Sequence, residues 1–317
     1  MAGLLAVHAH PDDETLATGA LLATWARGGG PVTVVTCTRG ELGEVIGGEL
    51  AHLAGDGPAL AAHRETELAG ALAALGVADH VFLDTVGPPA RFADSGMAWA
   101  GAGRAGRVAH LPDDAFVAVG LDDAAGRLAR VLRDRRPDVV VTYEPGGGYG
   151  HPDHIRAHDV TMRALELAAD VRLDLGAPAH VPSAVLWPVV AADVLRAAYA
   201  ALAVLPVVGG LLAAGLTLPD PGGPLPSVAV PAAQVDVVVD VTRVLDAVAA
   251  ALAAHRTQVH AIALGAERAA PGAPDRAVVV GCYALSNNVL APLLSRESYR
   301  RVGAGDVDWP AGVRPVA

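Results

Sequence analysis

The chain has 317 residues and a formal charge of −11, and all 23 of its basic residues are arginine. Without lysine it lacks the phosphate-binding amine of a P-loop and the amine of a Schiff-base enzyme, and without a basic cluster it is a poor partner for nucleic acid. Hydrophobic residues make up 52% of the chain but aromatic residues only 4%, so a large core has to be assembled from Ala, Val and Leu, which favours a layered α/β protein. Cys37 and Cys282 cannot form a disulfide framework; as reduced core residues they fit a cytoplasmic protein. Met1 to Val7 is too short, and lacks the basic start, for a signal peptide.

In chain order, the apolar run Leu4 to His10 reads as a strand. Glu14 to Gly28 follows with helical spacing of Leu16, Ala20, Ala23 and Trp25, and Pro31 to Thr38 is a run of β-branched residues. After a Gly/Glu loop from Thr38 to Gly48, a helix from His63 to Gly76 leads to a strand His80 to Asp84. A third helix, Asp114 to Arg135, leads to a strand Asp138 to Tyr143. This rhythm predicts right-handed βαβ units and a Rossmann-like, mainly parallel sheet flanked by helices, with residues 1–172 as the metal-binding catalytic domain. Residues 173–317 form a smaller, less regular α/β region expected to complete the substrate pocket. Its elements are a strand Ala184 to Val190, a strand Val235 to Asp240, a helix Val241 to His255 and a final strand-like run Ala277 to Tyr283. Ala197 to Pro219 carries no charge over the length of a membrane span, but Pro206 and Gly209-Gly210 interrupt it, so it is expected as a buried or lid-like helix with no membrane partner. Pro219 to Pro226 and Ala269 to Pro274 read as surface loops, and oligomeric state is not legible.

In a parallel sheet, chemistry gathers where loops leave the carboxyl ends of the strands, here after His10, Thr38, Asp84 and Tyr143. The first of these, His10-Pro11-Asp12-Asp13-Glu14, packs an imidazole and three carboxylates into one bend. Acids in a first helical turn complement the helix dipole, but that does not account for His10. The loop after Tyr143 carries Gly146-Gly147-Gly148-Tyr149-Gly150-His151-Pro152-Asp153-His154, with His158 a helical turn further on. His-Pro-Asp thus recurs at two strand ends, a donor set for a borderline-soft cation such as zinc. Spacing leaves His151, His154 and His158 open as the third ligand. His8, two residues before His10, reads as a core histidine or one that supports a ligand.

The segments Ala9-His10-Pro11-Asp12-Asp13-Glu14 and Gly147 to His154 resemble the two signatures of the LmbE-like (PIG-L-type) zinc deacetylases, and the similarity resumes at Leu285-Ser286-Asn287-Asn288. The resemblance implies metal ligands His10, Asp13 and His154, with Fe²⁺ and Co²⁺ accepting the same donors as Zn²⁺. It leaves Asp12 uncoordinated and free to act as general base and then as acid to the leaving amine. Tyr149 joins the metal in holding the oxyanion and swings on the glycine run, while His151, held by Asp153, acts as a cation or proton donor. Glu44, Arg64, Asp94 and Met97 are implied to line the pocket of a small amino-sugar substrate, and Asn287 and Asn288 either reach the site or make a turn. Within the family the nearer branch removes acetate from N-acetylglucosaminyl-inositol in mycothiol biosynthesis. The alternative is the branch that cleaves mycothiol S-conjugates, whose first helix carries a lysine and whose second signature has a proline before the histidine. This chain has Leu16-Ala17-Thr18 and Gly150 at those places.

Other classes fit less well. A dinucleotide-binding oxidoreductase needs a glycine fingerprint where His10-Pro11-Asp12 stands. A metal-dependent phosphohydrolase would call for more cationic help or a second metal. A non-catalytic sugar-binding protein would have no use for a free Asp beside the ligands.

Overall fold

The computed structural model describes residues 1–99, 105–106, 111–265 and 278–316, so the loop expected at Ala269 to Pro274 lies outside the described residues. The amino-terminal half runs β1 (Leu4–His8), α1 (Asp13–Arg27), β2 (Val32–Thr36), α2 (Gly57–Leu75), β3 (Asp79–Phe82), the short β4 (Ala98–Trp99) and β5 (Ala105–Gly106), α3 (Leu121–Arg135), β6 (Val139–Val141), the single turn α4 (Gly147–Gly150) and α5 (Pro152–Ala169). The remainder runs β7 (Ala184–Ala191), α6 (Ala192–Leu202), α7 (Val208–Ala213), β8 (Ala229–Val230), β9 (Val237–Asp240), α8 (Leu245–Ala254), β10 (His260–Leu264), β11 (Val279–Ala284), β12 (Leu290–Leu294), β13 (Arg296–Val302) and β14 (Val313–Pro315).

The main sheet has the order β14-β9-β13-β7-β6-β1-β2-β3, with β8 alongside β7. From β3 to β7 neighbouring strands are parallel, and β13 and β14 add antiparallel pairings with β7 and β9. Strands from beyond residue 172 therefore continue the same sheet. β1 has β2 on one side and β6 on the other, with Leu4, Leu5 and Ala6 opposite Val139, Val140 and Val141. The chain order reverses there, and a crevice opens beyond the carboxyl ends of β1 and β6.

Alternation along β1 separates two cores. Leu4 and Ala6 pack with α1, α2 and α8 on one face, whereas Leu5 and Val7 pack with α3 and α5 on the other. Each fully buried Leu contributes about 1.5–3 kcal/mol, so the two-sided sheet is stable without aromatic bulk. The uncharged segment is divided between α6 and α7, which cover a small separate core of Leu202, Val208, Cys282, Ala284 and Leu290. Among the described residues no helix is long and apolar enough to cross a membrane. Cys37 and Cys282 are both buried and free.

Three helix starts differ from expectation for local reasons. α8 begins at Leu245 rather than Val241, because Val241–Arg243 forms a 3₁₀ turn capped by the Asp240 carboxylate. α2 begins at Gly57, earlier than His63, because the Asp56 carboxylate caps Ala59 N and Pro58 stands in the first turn. α3 begins only at Leu121, because Phe116–Ala118 forms a separate 3₁₀ turn with Phe116 buried. Near the other end of the sheet, the Glu297 carboxylate on β13 receives Ala20 N–H at 2.6 Å and Leu21 N–H at 2.9 Å from α1, and the Tyr299 hydroxyl at 2.6 Å.

Candidate active site

Both signature loops open into the crevice between β1 and β6. At the end of β1 the chain turns through Asp12, whose backbone has φ 118°, a conformation that L side chains rarely adopt. The turn presents Asp13 to two imidazoles at once: Oδ2 lies 3.2 Å from His10 Nδ1, and Oδ1 lies 3.2 Å from His154 Nε2. Glu14, the third carboxylate of the motif, turns away and meets His255 Nε2 at 2.8 Å.

At the end of β6, the glycine run is pinned rather than loose. Glu144 receives the Gly148 N–H at 2.8 Å and the Ser227 hydroxyl at 2.6 Å, and Ser227 also donates to Gly148 O. Gly147, at φ 69°, has Ile155 N only 2.9 Å from where a Cβ would stand, so a side chain is excluded there. The loop leads into α5, on whose first turn Asp153 and His154 are buried. Tyr143 stacks on His154 at 4.1 Å between ring centroids, and its hydroxyl accepts the Ala9 N–H. Sequence reasoning missed Tyr143, Glu144 and His255. Tyr143 and Glu144 stand at a strand end, a signal that was available; His255 carried none.

Hydrogen bonds assign the proton on His154 and His151, whereas His10 is flanked at both nitrogens. Asp153 stands 3.2 Å from His10 Nε2 and Asp13 3.2 Å from Nδ1, so Nδ1 is a donor to a cation only when the proton sits on Nε2 beside Asp153. His154 Nδ1 faces Gly147 O at 3.1 Å, so it carries the proton and leaves Nε2 as an acceptor, buried and with no hydrogen-bond partner among the described residues. His151 is the opposite case: its Nδ1 accepts the Asp153 N–H at 3.1 Å, which puts the proton of the neutral ring on Nε2. Nitrogens of His10, His151 and His154 lie within 4.8 Å of one another, and His10 Nδ1 and His154 Nε2 each stand 3.2 Å from an oxygen of Asp13. The donor set of two imidazole nitrogens and one carboxylate, with the buried His154 Nε2 otherwise unmatched, fits a divalent cation.

Charge follows the same geometry. Burial works against a protonated His10, but Asp94, Asp13 and Asp153 around it raise it well above the usual histidine value. Burial likewise opposes an ionised Asp13, and His154 and His10 outweigh it and hold the carboxyl well below the usual range. Asp12 is pushed up to about 6 by burial, which Arg64 partly offsets. Burial raises the Tyr149 phenol as well. His151 is brought down to about 2 by burial and by His10 and His154 beside it.

Of the two roles expected for His151, cation or proton donor, the geometry fits the donor through Nε2. One expectation is corrected: the Asp153 carboxylate faces His10 and accepts Ser95 N–H at 2.9 Å rather than backing the His151 ring. The expected sugar contacts also fall differently. Arg64 is 3% exposed, with Nη1 on Gly40 O, Nη2 on Pro11 O and Nη2 3.3 Å from Asp12 Oδ2. Asp94 is buried, holding Gly96 N and Leu42 N, with Oδ1 3.5 Å from His10 Nε2. Arg64 thus stands beside Asp12 and Asp94 beside His10. Glu44 is exposed and Met97 half-buried. His158 donates to Tyr143 O and packs edge-on to Trp187, turned away from the cluster, and His8 pairs with Thr18. Asn288 makes the expected turn at φ 57°, while Asn287 reaches a cavity wall.

The cavity has a volume of about 550 Å³ and touches Asp13, Tyr149 and His154 at one end. Its walls are mainly apolar, among them Leu16, Val189, Leu195 and Leu285, with Tyr199 and Tyr283. Glu44, Arg64, Asp94 and Met97 do not line it.

The profile of the PIG-L family, described as GlcNAc-PI de-N-acetylase, matches residues 5–165, which include both signature loops. The chain belongs to the PIG-L family. Its relatives include a 1D-myo-inositol 2-acetamido-2-deoxy-alpha-D-glucopyranoside deacetylase of Kineococcus radiotolerans, 46% identical over 301 residues, 94% of this chain and 77% of the relative. The deacetylase of the same name from Rhodococcus opacus is 44% identical over 298 residues, 93% of this chain and 90% of the relative. Among solved structures, 4-carboxy-2-hydroxymuconate hydratase of Pseudomonas putida is similar over 80% of this chain and 79% of its own, at a TM-score of 0.50 and 19% identity. That likeness concerns the fold, which serves more than one reaction. As a PIG-L protein the chain is a metal-dependent deacetylase, a hydrolase of amide bonds.

Proposed function

We propose that the protein removes acetate from 1D-myo-inositol 2-acetamido-2-deoxy-α-D-glucopyranoside, with zinc held by His10 Nδ1, Asp13 and His154 Nε2. The observation that carries the metal assignment is the convergence of His10 Nδ1 and His154 Nε2 on the two oxygens of Asp13, each 3.2 Å away. The shared name of relatives above 40% identity carries the substrate. The bound cation supplies Lewis acidity, lowering the pKa of a water and polarising the amide carbonyl. Asp12 takes the proton from the attacking water and returns it to the departing amine, a double role suited to a carboxyl at about 6. The Nε2–H of His151, and Tyr149, whose ring stands edge-on to His154 at 5.0 Å between centroids, supply hydrogen bonds to the oxyanion. We assign residues 1–172 to the catalytic part and 173–317 to the part that completes the pocket. In support, Asp13, Tyr149 and His154 share the cavity with Tyr199, Tyr283 and Leu285. Reduced Cys37 and Cys282 support a cytoplasmic setting.

The test is release of acetate and a free amine from N-acetylglucosaminyl-inositol by enzyme loaded in turn with Zn²⁺, Fe²⁺ and Co²⁺, with phosphate release from phosphorylated sugars as the control. No acetate with any metal rejects the assignment. A second reading, cleavage of mycothiol S-conjugates, is favoured by the apolar cavity, which is larger than an acetyl group needs. Catalytic efficiencies for the two substrates on one preparation decide between them.

A further inference from the structure

We propose that His255 is a positioning residue that acts through Glu14 to hold the backbone of Asp12, and with it the general base, in its catalytic conformation. The inference rests on Asp12 being the base. At φ 118° and ψ −34° the Asp12 main chain sits where an L residue stays only if its surroundings compel it. The compelling contacts are few. The Asp12 carbonyl accepts Thr15 N at 3.0 Å and Leu16 N at 2.9 Å, which belong to the start of α1 and would form in other turn geometries. The Asp12 N–H, by contrast, is directed at Glu14 Oε2 at 2.9 Å. Where Glu14 points therefore decides where that N–H points.

Glu14 is fully buried and its other oxygen, Oε1, receives Thr15 Oγ1 at 2.6 Å and His255 Nε2–H at 2.8 Å. Thr15 is its neighbour in sequence and moves with it; His255 does not. His255 is fully buried at the end of α8, in a turn closed by Gln258 N and Val259 N on its carbonyl. Two residues on, Thr257 fixes that turn to α2 by donating N–H and Oγ1–H to Glu67 at 2.8 and 2.6 Å. The carboxylate is thus held from a second helix, outside the motif. Without His255, Glu14 keeps only its local partners, Thr15 Oγ1–H and the Asp12 N–H, with no anchor outside the motif, and rotates in its buried setting. The Asp12 N–H then loses its acceptor, and the strained turn relaxes.

The experiment compares His255→Leu, which keeps bulk, with His255→Gln, whose side-chain amide can place a donor near the imidazole Nε2. Enzyme loaded with Zn²⁺ is assayed for acetate release well below each variant's melting temperature, with bound metal measured on the same samples. The expected result for His255→Leu is a kcat lower by about tenfold to a hundredfold, with KM and metal content close to wild type, and His255→Gln recovers most of the kcat. Should His255→Leu fail to fold, Glu14→Gln carries the test and shows the same split. A wild-type kcat in the folded Leu variant, or a loss confined to stability or to metal content, overturns the proposal. Asp12→Asn is run in parallel. Normal turnover there removes the base assignment and the positioning role together, whereas an inactive Asp12→Asn beside a normal His255→Leu removes the positioning role alone.

Discussion

The Asp153 carboxylate stands 3.2 Å from His10 Nε2, across the imidazole from Asp13, which stands 3.2 Å from Nδ1. One ring is held between two carboxylates from loops that follow different strands. A carboxylate behind a ligand imidazole fixes its tautomer and strengthens it as a donor. Replacing Asp153 by Asn keeps an acceptor for Ser95 N–H but removes the charge. Metal affinity is expected to fall about 10–100-fold, read by competition with a chromophoric chelator. An unchanged affinity would show that His10 does not depend on Asp153.

The tautomers separate ligands from bystanders. His10→Ala, Asp13→Ala and His154→Ala each lose bound metal, whereas His151→Ala and His158→Ala retain it, as elemental analysis of the purified variants will show. Loss of metal in His151→Ala with retention in His154→Ala would reverse the assignment.

Asp12→Asn preserves size and hydrogen bonding but cannot take a proton. Turnover falls by about 10²–10⁴ while metal content stays at the wild-type level. Near-normal kcat in a fully metallated variant would exclude Asp12 as the base.

Glu297 sets a pH dependence of stability. Burial pushes its carboxyl up to about 7, against the donors Tyr299, Ala20 N and Leu21 N, which favour the anion. An unfolded Glu titrates near about 4.3, so between these values the folded chain binds the extra proton. The neutral form's contribution is complete below that window and is lost as pH rises through the folded pKa. Melting temperature is expected to drop between about pH 4 and about pH 7 and to level off above it, and to drop less in Glu297→Gln, which mimics the protonated acid. Parallel curves for the two proteins would show that Glu297 does not titrate in this range.

The parallel half of the fold was legible because β1, β2 and β6 are short β-branched or aliphatic runs followed by helical spacing, and because both His-Pro-Asp loops sit directly at strand ends. Local sequence carries that information. It does not carry which carboxylate supports which imidazole: Asp153 lies two residues from His151 yet its carboxylate meets His10, 143 positions away. Arg64 and Asp94 read as sugar contacts, and nothing local in the sequence shows that packing sets Arg64 beside Asp12 and Asp94 beside His10. His255 looked like an ordinary helix end because its partner Glu14 is 241 positions away. β13 was invisible for another reason. Its sequence Arg-Glu-Ser-Tyr-Arg-Arg-Val lacks an apolar face, since Glu297 and Tyr299 bury themselves by hydrogen bonding to α1.

β13 lies between β7 and β9, each of which precedes it in the chain by dozens of residues. During synthesis, both of those strands therefore wait with an unpaired edge until residue 302 has left the ribosome. An open edge of Val-rich strand is a template for pairing with another chain. A premature stop before Arg296 would leave the signature loops intact and the metal donors present, yet would yield a protein prone to aggregate. Loss-of-function truncations in this region would thus act through solubility as well as through loss of the cavity wall that Arg296, Glu297 and Ser298 supply.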